Sequence, residues 1–162
     1  MAEPRAWVAS INRSPGGVPK LGVPSARVTA AGLEGDGQRD LRHHGGPDRA
    51  LVLFSLERIE ALRAEGHPIG SGTTGENVTV AGLDWDLVTP GRRLALADVE
   101  VEVTSYAAPC EIIARSFSDR RSSRISQKVH PGWSRVCARV VKGGTLAVGD
   151  AVTVISLGTA RT

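Results

Sequence analysis

Cysteine is scarce in this chain of 162 residues, which holds only Cys110 and Cys137. Two thiols cannot make the disulfide framework of a small secreted domain, and in a reducing compartment both are expected to be free. Long apolar runs are also missing, and nothing approaches the roughly 20 residues that span a bilayer. The opening Met1-Ala2-Glu3-Pro4-Arg5-Ala6-Trp7 lacks the apolar run that follows the basic start of a signal peptide. These absences argue against a stapled secreted domain or a helical membrane protein, and the expected location is the cytoplasm. Aromatic residues make up 4% of the chain. The most basic stretch, with Arg115, Arg120, Arg121, Arg124 and Lys128, has Phe117 as its one aromatic, so it is a poor platform for stacking nucleic-acid bases. Cysteine and histidine nowhere show the spacing of a zinc site.

What is present describes an ordinary globular domain. The length suits one folding unit over residues 1–162, with a core at about 8–155 and a tail at 156–162. The 19 Gly and 9 Pro imply many turns, which in a short chain favour β structure. The net charge of +3 fits an anionic small ligand, a weak attraction for nucleic acid or a plain surface.

Strands are expected at Trp7 to Ile11, Arg27 to Ala31, Ala50 to Phe54 and Glu76 to Val80. Ser55 is a good N-cap for a helix running to about Glu65, because Leu56, Ile59 and Leu62 recur at helical spacing and Gly66 can stop it. Arg92 to Leu96 and Val99 to Ser105 read as a hairpin. Trp133 to Lys142 and Asp150 to Ile155 read as a closing hairpin around Gly143-Gly144 and Gly149. The polar stretch from Gly35 to Arg49 reads as a long surface loop. Arg115 to Lys128 reads as a mobile one, since so much charge offers little burial against the entropy of ordering. The expected class is therefore mainly β (a β-rich α+β fold): a barrel-like, strongly coiled, mostly antiparallel sheet with one or two short helices.

A series of short motifs runs through this pattern. Gly17-Val18-Pro19-Lys20 is followed by Gly32-Leu33-Glu34-Gly35-Asp36, His44-Gly45-Gly46-Pro47-Asp48-Arg49-Ala50 and Gly75-Glu76-Asn77-Val78-Thr79. Pro109-Cys110 and Gly132-Trp133, leading to Gly143-Gly144 and Gly149-Asp150, complete it. In this order and spacing the motifs resemble the signature of MOSC domains, named for the C-terminus of molybdenum-cofactor sulfurase. The resemblance implies a strand-rich barrel with a cleft that binds or serves the anionic pterin molybdenum cofactor. It also implies either reduction of N-hydroxylated compounds with a separate electron-transfer reductase, or sulfur carriage from a pyridoxal-phosphate-dependent cysteine desulfurase. A module that stores or delivers the cofactor, or another anionic small ligand, without chemistry is the alternative.

A thiolate can hold molybdenum or carry sulfur as a persulfide, which makes Cys110 the candidate metal ligand and catalytic residue; otherwise it is an inert thiol. Because the dithiolene of the cofactor brings two sulfur ligands, one protein cysteine can suffice. Cys137 lies in a strand pattern and is expected to pack in the core. His44 can donate to a cofactor oxygen or tune a proton, with solvation as the alternative, and Asp36, a further catalytic candidate, sits at a loop-to-strand corner where it shapes the pocket or touches the ligand. Gly45 and Gly46 permit close backbone approach to the pterin phosphate, or simply tight turns. Lys20 and Arg49 are candidate phosphate partners or solvated charges. Glu76 and Asn77 sit at a loop-to-strand corner where they shape or touch the pocket. Many members of the family carry a basic residue just before the Pro-Cys pair, where this chain has Tyr106-Ala107-Ala108.

Overall fold

A computed structural model describes residues 6–37 and 46–155. Alternation sets the main sheet. Val99, Val101 and Val103 of β8 (Val99–Tyr106) turn inward between half-exposed glutamates, and Leu94 and Leu96 of β7 (Arg93–Leu96) do the same opposite them. The expected hairpin is therefore present, and Ala97 takes a left-handed backbone (φ 54°) at its turn. The chain reaches β7 through six earlier strands of this sheet and its neighbour: β1 (Trp7–Arg13), β2 (Leu21–Val23), β3 (Ser25–Thr29), β4 (Gly32–Leu33), β5 (Leu51–Ser55) and β6 (Val78–Ala81). β9 (Val136–Lys142), β10 (Gly144–Ala147) and β11 (Val152–Ile155) follow β8.

Eight strands form one sheet in the order β11-β7-β8-β9-β5-β6-β1-β2, and β10-β3-β4 form a second. Every pair is antiparallel except β5 and β6. That parallel pair needs a crossover, which α1 (Leu56–Ala64) supplies. The Ser55 side chain accepts from the Arg58 amide at 3.2 Å, as its N-cap position requires, and Ile59 and Leu62 are the buried face. The two ends of the large sheet curl toward each other. An isolated bridge joins Trp7 to Ala151, and the Val8 and Val152 amides donate to Asp150 and Ala6 at 2.9 and 3.0 Å. The sheet is thus barrel-like, with the start of β1 joined to the start of β11 by one bridge rather than a full ladder.

Two expectations need correction. The closing hairpin does not form: β10 leaves to pair with β3, and β11 pairs with β7. Both edges of β9 are already occupied by β5 and β8, so the last strand takes the free edge of β7 and buries Val152 there. The segment from Arg115 to Lys128 is not a loose loop either. Two 3-10 turns, Glu111–Ser116 and Ser122–Ile125, carry it across the surface, with Phe117 and Ile125 buried at 1% and 0% exposure. Phe117 meets the His67 ring edge-on at 5.4 Å, and Arg124 grips Glu65 through two bonds of 3.0 and 2.7 Å. Charge counting overlooked that two apolar side chains are enough to anchor so short a span.

Phe117→Ala should therefore lower stability by about 3–5 kcal/mol, the cost of emptying an aromatic core site. Urea unfolding measures the loss, and trypsin should cut the variant, but not the folded wild type, within residues 115–128. An unchanged midpoint would mean that the segment contributes no packing.

Candidate functional site

Cys110 closes the short link between β8 and the first 3-10 turn. Its side chain is exposed and its backbone extended, and its carbonyl accepts from the Ile113 amide at 3.3 Å. Two residues further on, Ile112, Ile113 and Arg115 face Val18 and Pro19 across a cleft of about 450 Å³. Cys110 stands near the edge of this cleft in sequence and is not part of its wall.

The link is held from behind by Arg135, the residue just before β9, which sequence reasoning passed over. Its backbone carbonyl accepts from Ala107 at 2.9 Å, extending the ladder between β8 and β9. Its side chain is 7% exposed and, among the described residues, donates only to backbone carbonyls: Nη1 to Thr74 at 2.6 Å, and Nη2 to Ala108 and Ala107 at 3.2 and 3.4 Å. Nε is buried without a partner among the described residues. Burial weakens the hold of the guanidinium on its proton, and the negative forms of Glu76, Cys137 and Cys110 oppose that. An arginine stays charged under such conditions, so a cation sits behind the cysteine link. Two sequence signals pointed here: a charged residue beside an apolar strand, and strand parity that places Arg135 and Cys137 on one face.

Cys137 is buried, although on the side of the sheet away from the core. Its neighbours Val136 and Ala138 belong to the core, whereas Cys137 lies opposite Ser105. Burial pushes its thiol up, and a bond with Ser105 and the charges of Arg135 and Arg49 pull the other way. The turn Pro47–Arg49 lies against this face, with the Thr104 hydroxyl donating to the carbonyls of Asp48 and Cys137. Arg49 is exposed there. Gly46 has φ 82°, a backbone that favours glycine, and a Cβ at that point would meet nothing within 4 Å among the described residues. His44 and Gly45 lie outside the described residues.

Four other candidates come together as an internal latch. Lys20 meets Asp36 at 2.6 Å with side chains 9% and 4% exposed, so its ammonium is directed at a carboxylate rather than an open cleft. Asp36 also accepts from Asn77 Nδ2 at 2.9 Å and from the Ser14 amide at 3.0 Å. Asn77 Oδ1 accepts from the Val52 amide at 2.9 Å, tying β5 to the latch. Glu76 is fully buried and accepts from the Gly72 amide at 2.9 Å and the Thr74 hydroxyl at 2.8 Å. Burial raises its pKa above the ordinary value of 4.5, and those bonds and the Arg135 charge act against the rise. Gly72 is obligatory in this corner: its φ is +82°, and a Cβ would stand 2.2 Å from the Lys20 carbonyl oxygen. Among the described residues no three His, Cys, Asp or Glu side chains are grouped so as to hold a metal ion, and no helix is long and apolar enough to cross a membrane.

Comparison with known proteins places this geometry in context. The sequence model of the MOSC domain matches residues 40–153. A protein of Bacillus subtilis (strain 168) named YflK is 32% identical over 127 residues, which cover 78% of this chain and 57% of that protein. Protein YiiM of Escherichia coli (strain K12) is 27% identical over 111 residues, 65% of this chain and 50% of its own length. The chain thus spans about half the length of the curated relatives it matches. The crystal structure of YiiM from Geobacillus stearothermophilus superposes with a TM-score of 0.70 at 22% identity, covering 95% of this chain and 77% of that one, which shows a shared fold.

The latch makes a stability prediction. Asp36→Ala leaves a buried ammonium without its partner and should cost about 3–5 kcal/mol in urea unfolding. The double variant Lys20→Met with Asp36→Leu should recover most of that loss. Equal stability of Asp36→Ala and wild type would show the pair to be solvated.

Proposed function

Because the chain belongs to the MOSC domain family, whose members are associated with the molybdenum cofactor, we propose that it binds this cofactor and that the Cys110 thiolate is its molybdenum ligand. The observation that carries the reading is the exposed sulfur of Cys110 on a link backed by a buried cation. A soft thiolate beside positive charge suits an electron-poor metal carried by an anionic pterin. The orphaned Nε of Arg135 also fits an anionic occupant, since a buried donor without a partner is costly unless something accepts from it.

When bound, the cofactor supplies two-electron redox chemistry at a metal already held by its own dithiolene sulfurs. The protein then adds the remaining thiolate from Cys110 and orients it through the fixed backbone of Ala107 and Ala108. Arg49, exposed on the turn beside Cys137, is the candidate partner of the pterin phosphate, and His44 and Gly45 precede it in the sequence. Lys20, Asp36, Glu76 and Asn77 act at one remove by holding the 70–75 loop and the end of β1 in place. Reduction of an N-hydroxylated substrate breaks its N–O bond, takes two electrons and two protons and releases water, with the electrons supplied by a separate reductase. Exposure of the same sulfur also supports carriage of a persulfide from a cysteine desulfurase, and the ligand role is the primary reading.

Expression in a molybdenum-replete host, followed by metal analysis and pterin fluorescence, tests the proposal. Wild type should retain molybdenum and pterin, and a folded Cys110→Ala variant should lose the metal. If both carry the same trace of molybdenum, the thiolate-ligand reading is wrong.

A further inference from the structure

The three residues ahead of Pro109-Cys110 carry no charge, yet the link they form is not without a cation. Arg135 reaches it from the neighbouring strand and donates to the carbonyls two and three residues before the thiol. Its hydrogen-bond partners among the described residues are carbonyl oxygens, which orient a guanidinium without neutralising it. Glu76 acts on it through its charge, while its carboxylate accepts from Gly72, Thr74 and Thr79. A cation buried in this way is screened little by salt and projects its field toward the nearest open surface. Cys110 is exposed two residues beyond the Ala108 carbonyl that Arg135 binds, and the charges of the two groups act on each other.

We propose that Arg135 is the positioning residue of the Cys110 site: its buried guanidinium fixes the backbone ahead of the thiol and makes the rim selective for anionic partners. The chemical class is a small anion brought to the sulfur, an oxoanion or an anionic sulfur compound. The inference rests on the proposed function only in taking Cys110 as the working thiol, and it holds whether or not molybdenum binds. Arg115 and Arg49 are the competing sources of charge, and both are exposed, so their influence fades with salt whereas that of Arg135 persists.

The test compares two alkylating reagents of similar size, anionic iodoacetate and neutral iodoacetamide, with the Cys110 adduct quantified by peptide mass spectrometry. The rate ratio of anion to neutral reagent at Cys110 should exceed that of glutathione by about threefold or more, the effect of a unit charge acting partly through a low-dielectric path. The excess should survive 1 M salt. It should persist in Arg135→Lys, which keeps the charge, disappear in Arg135→Met, and remain in Arg115→Gln. A wild-type ratio equal to that of glutathione, or an excess abolished by salt, would overturn the proposal without recourse to any variant. Loss of the excess in Arg115→Gln alone, or its retention in a folded Arg135→Met, would overturn it as well. Loss of molybdenum binding with the excess intact would instead defeat the cofactor reading and leave this one standing.

Discussion

The buried guanidinium of Arg135 is the interaction around which the functional face is arranged. Removing a cation from water costs several kcal/mol unless its donors are satisfied. Here the satisfaction comes from the carbonyls of two separate loops, Thr74 on one side and Ala107 with Ala108 on the other. Neither loop can move away without exposing its carbonyl to an apolar surround or leaving the guanidinium short of partners. One side chain therefore couples the glycine-rich 70–75 loop to the link that bears the cysteine, and the relative position of the two is a consequence of that coupling.

The rest of the structure supports this joint from below. Glu76 binds the amide of Gly72 and the hydroxyl of Thr74, so the carbonyl that receives Arg135 is itself held in place. Asn77, Asp36 and Lys20 continue the chain of bonds to β5 and to the turn after β1. On the opposite face, Val101, Val103, Val136 and Ala138 fill the core, and α1 covers the parallel pair that carries the loop. The sheet thus separates two tasks: packing on one face, and a polar, charged arrangement around two thiols on the other.

Much of this was legible in the sequence, and the parts that were not share a cause. The β7–β8 hairpin followed from period-two alternation, and the helix from Ser55 and the spacing of Ile59 and Leu62, because both signals are local. The family resemblance drew attention to Cys110 and the glutamate–asparagine corner. The role of Arg135 was hidden because its partners lie 61, 28 and 27 residues away in the chain, and no local rule reveals a carbonyl supplied from so far. The pairing of β11 with β7 was obscured for the same reason, since it depends on which edges other strands have already taken. The segment after Cys110 was misread because charge density outweighed Phe117 and Ile125 in the count, although those two decide whether it packs. Lys20 reads locally as a phosphate partner or a solvated charge, because its ion pair with Asp36 joins residues sixteen apart, and His44 and Gly45 lie outside the described residues.

Hydrogen exchange followed by mass spectrometry on wild type and Arg135→Met addresses the coupling most directly. The account predicts that amides in residues 70–75 and 107–116 lose protection together, while the β7–β8 ladder keeps its wild-type protection. Loss of protection in one of these segments with the other unchanged would contradict it.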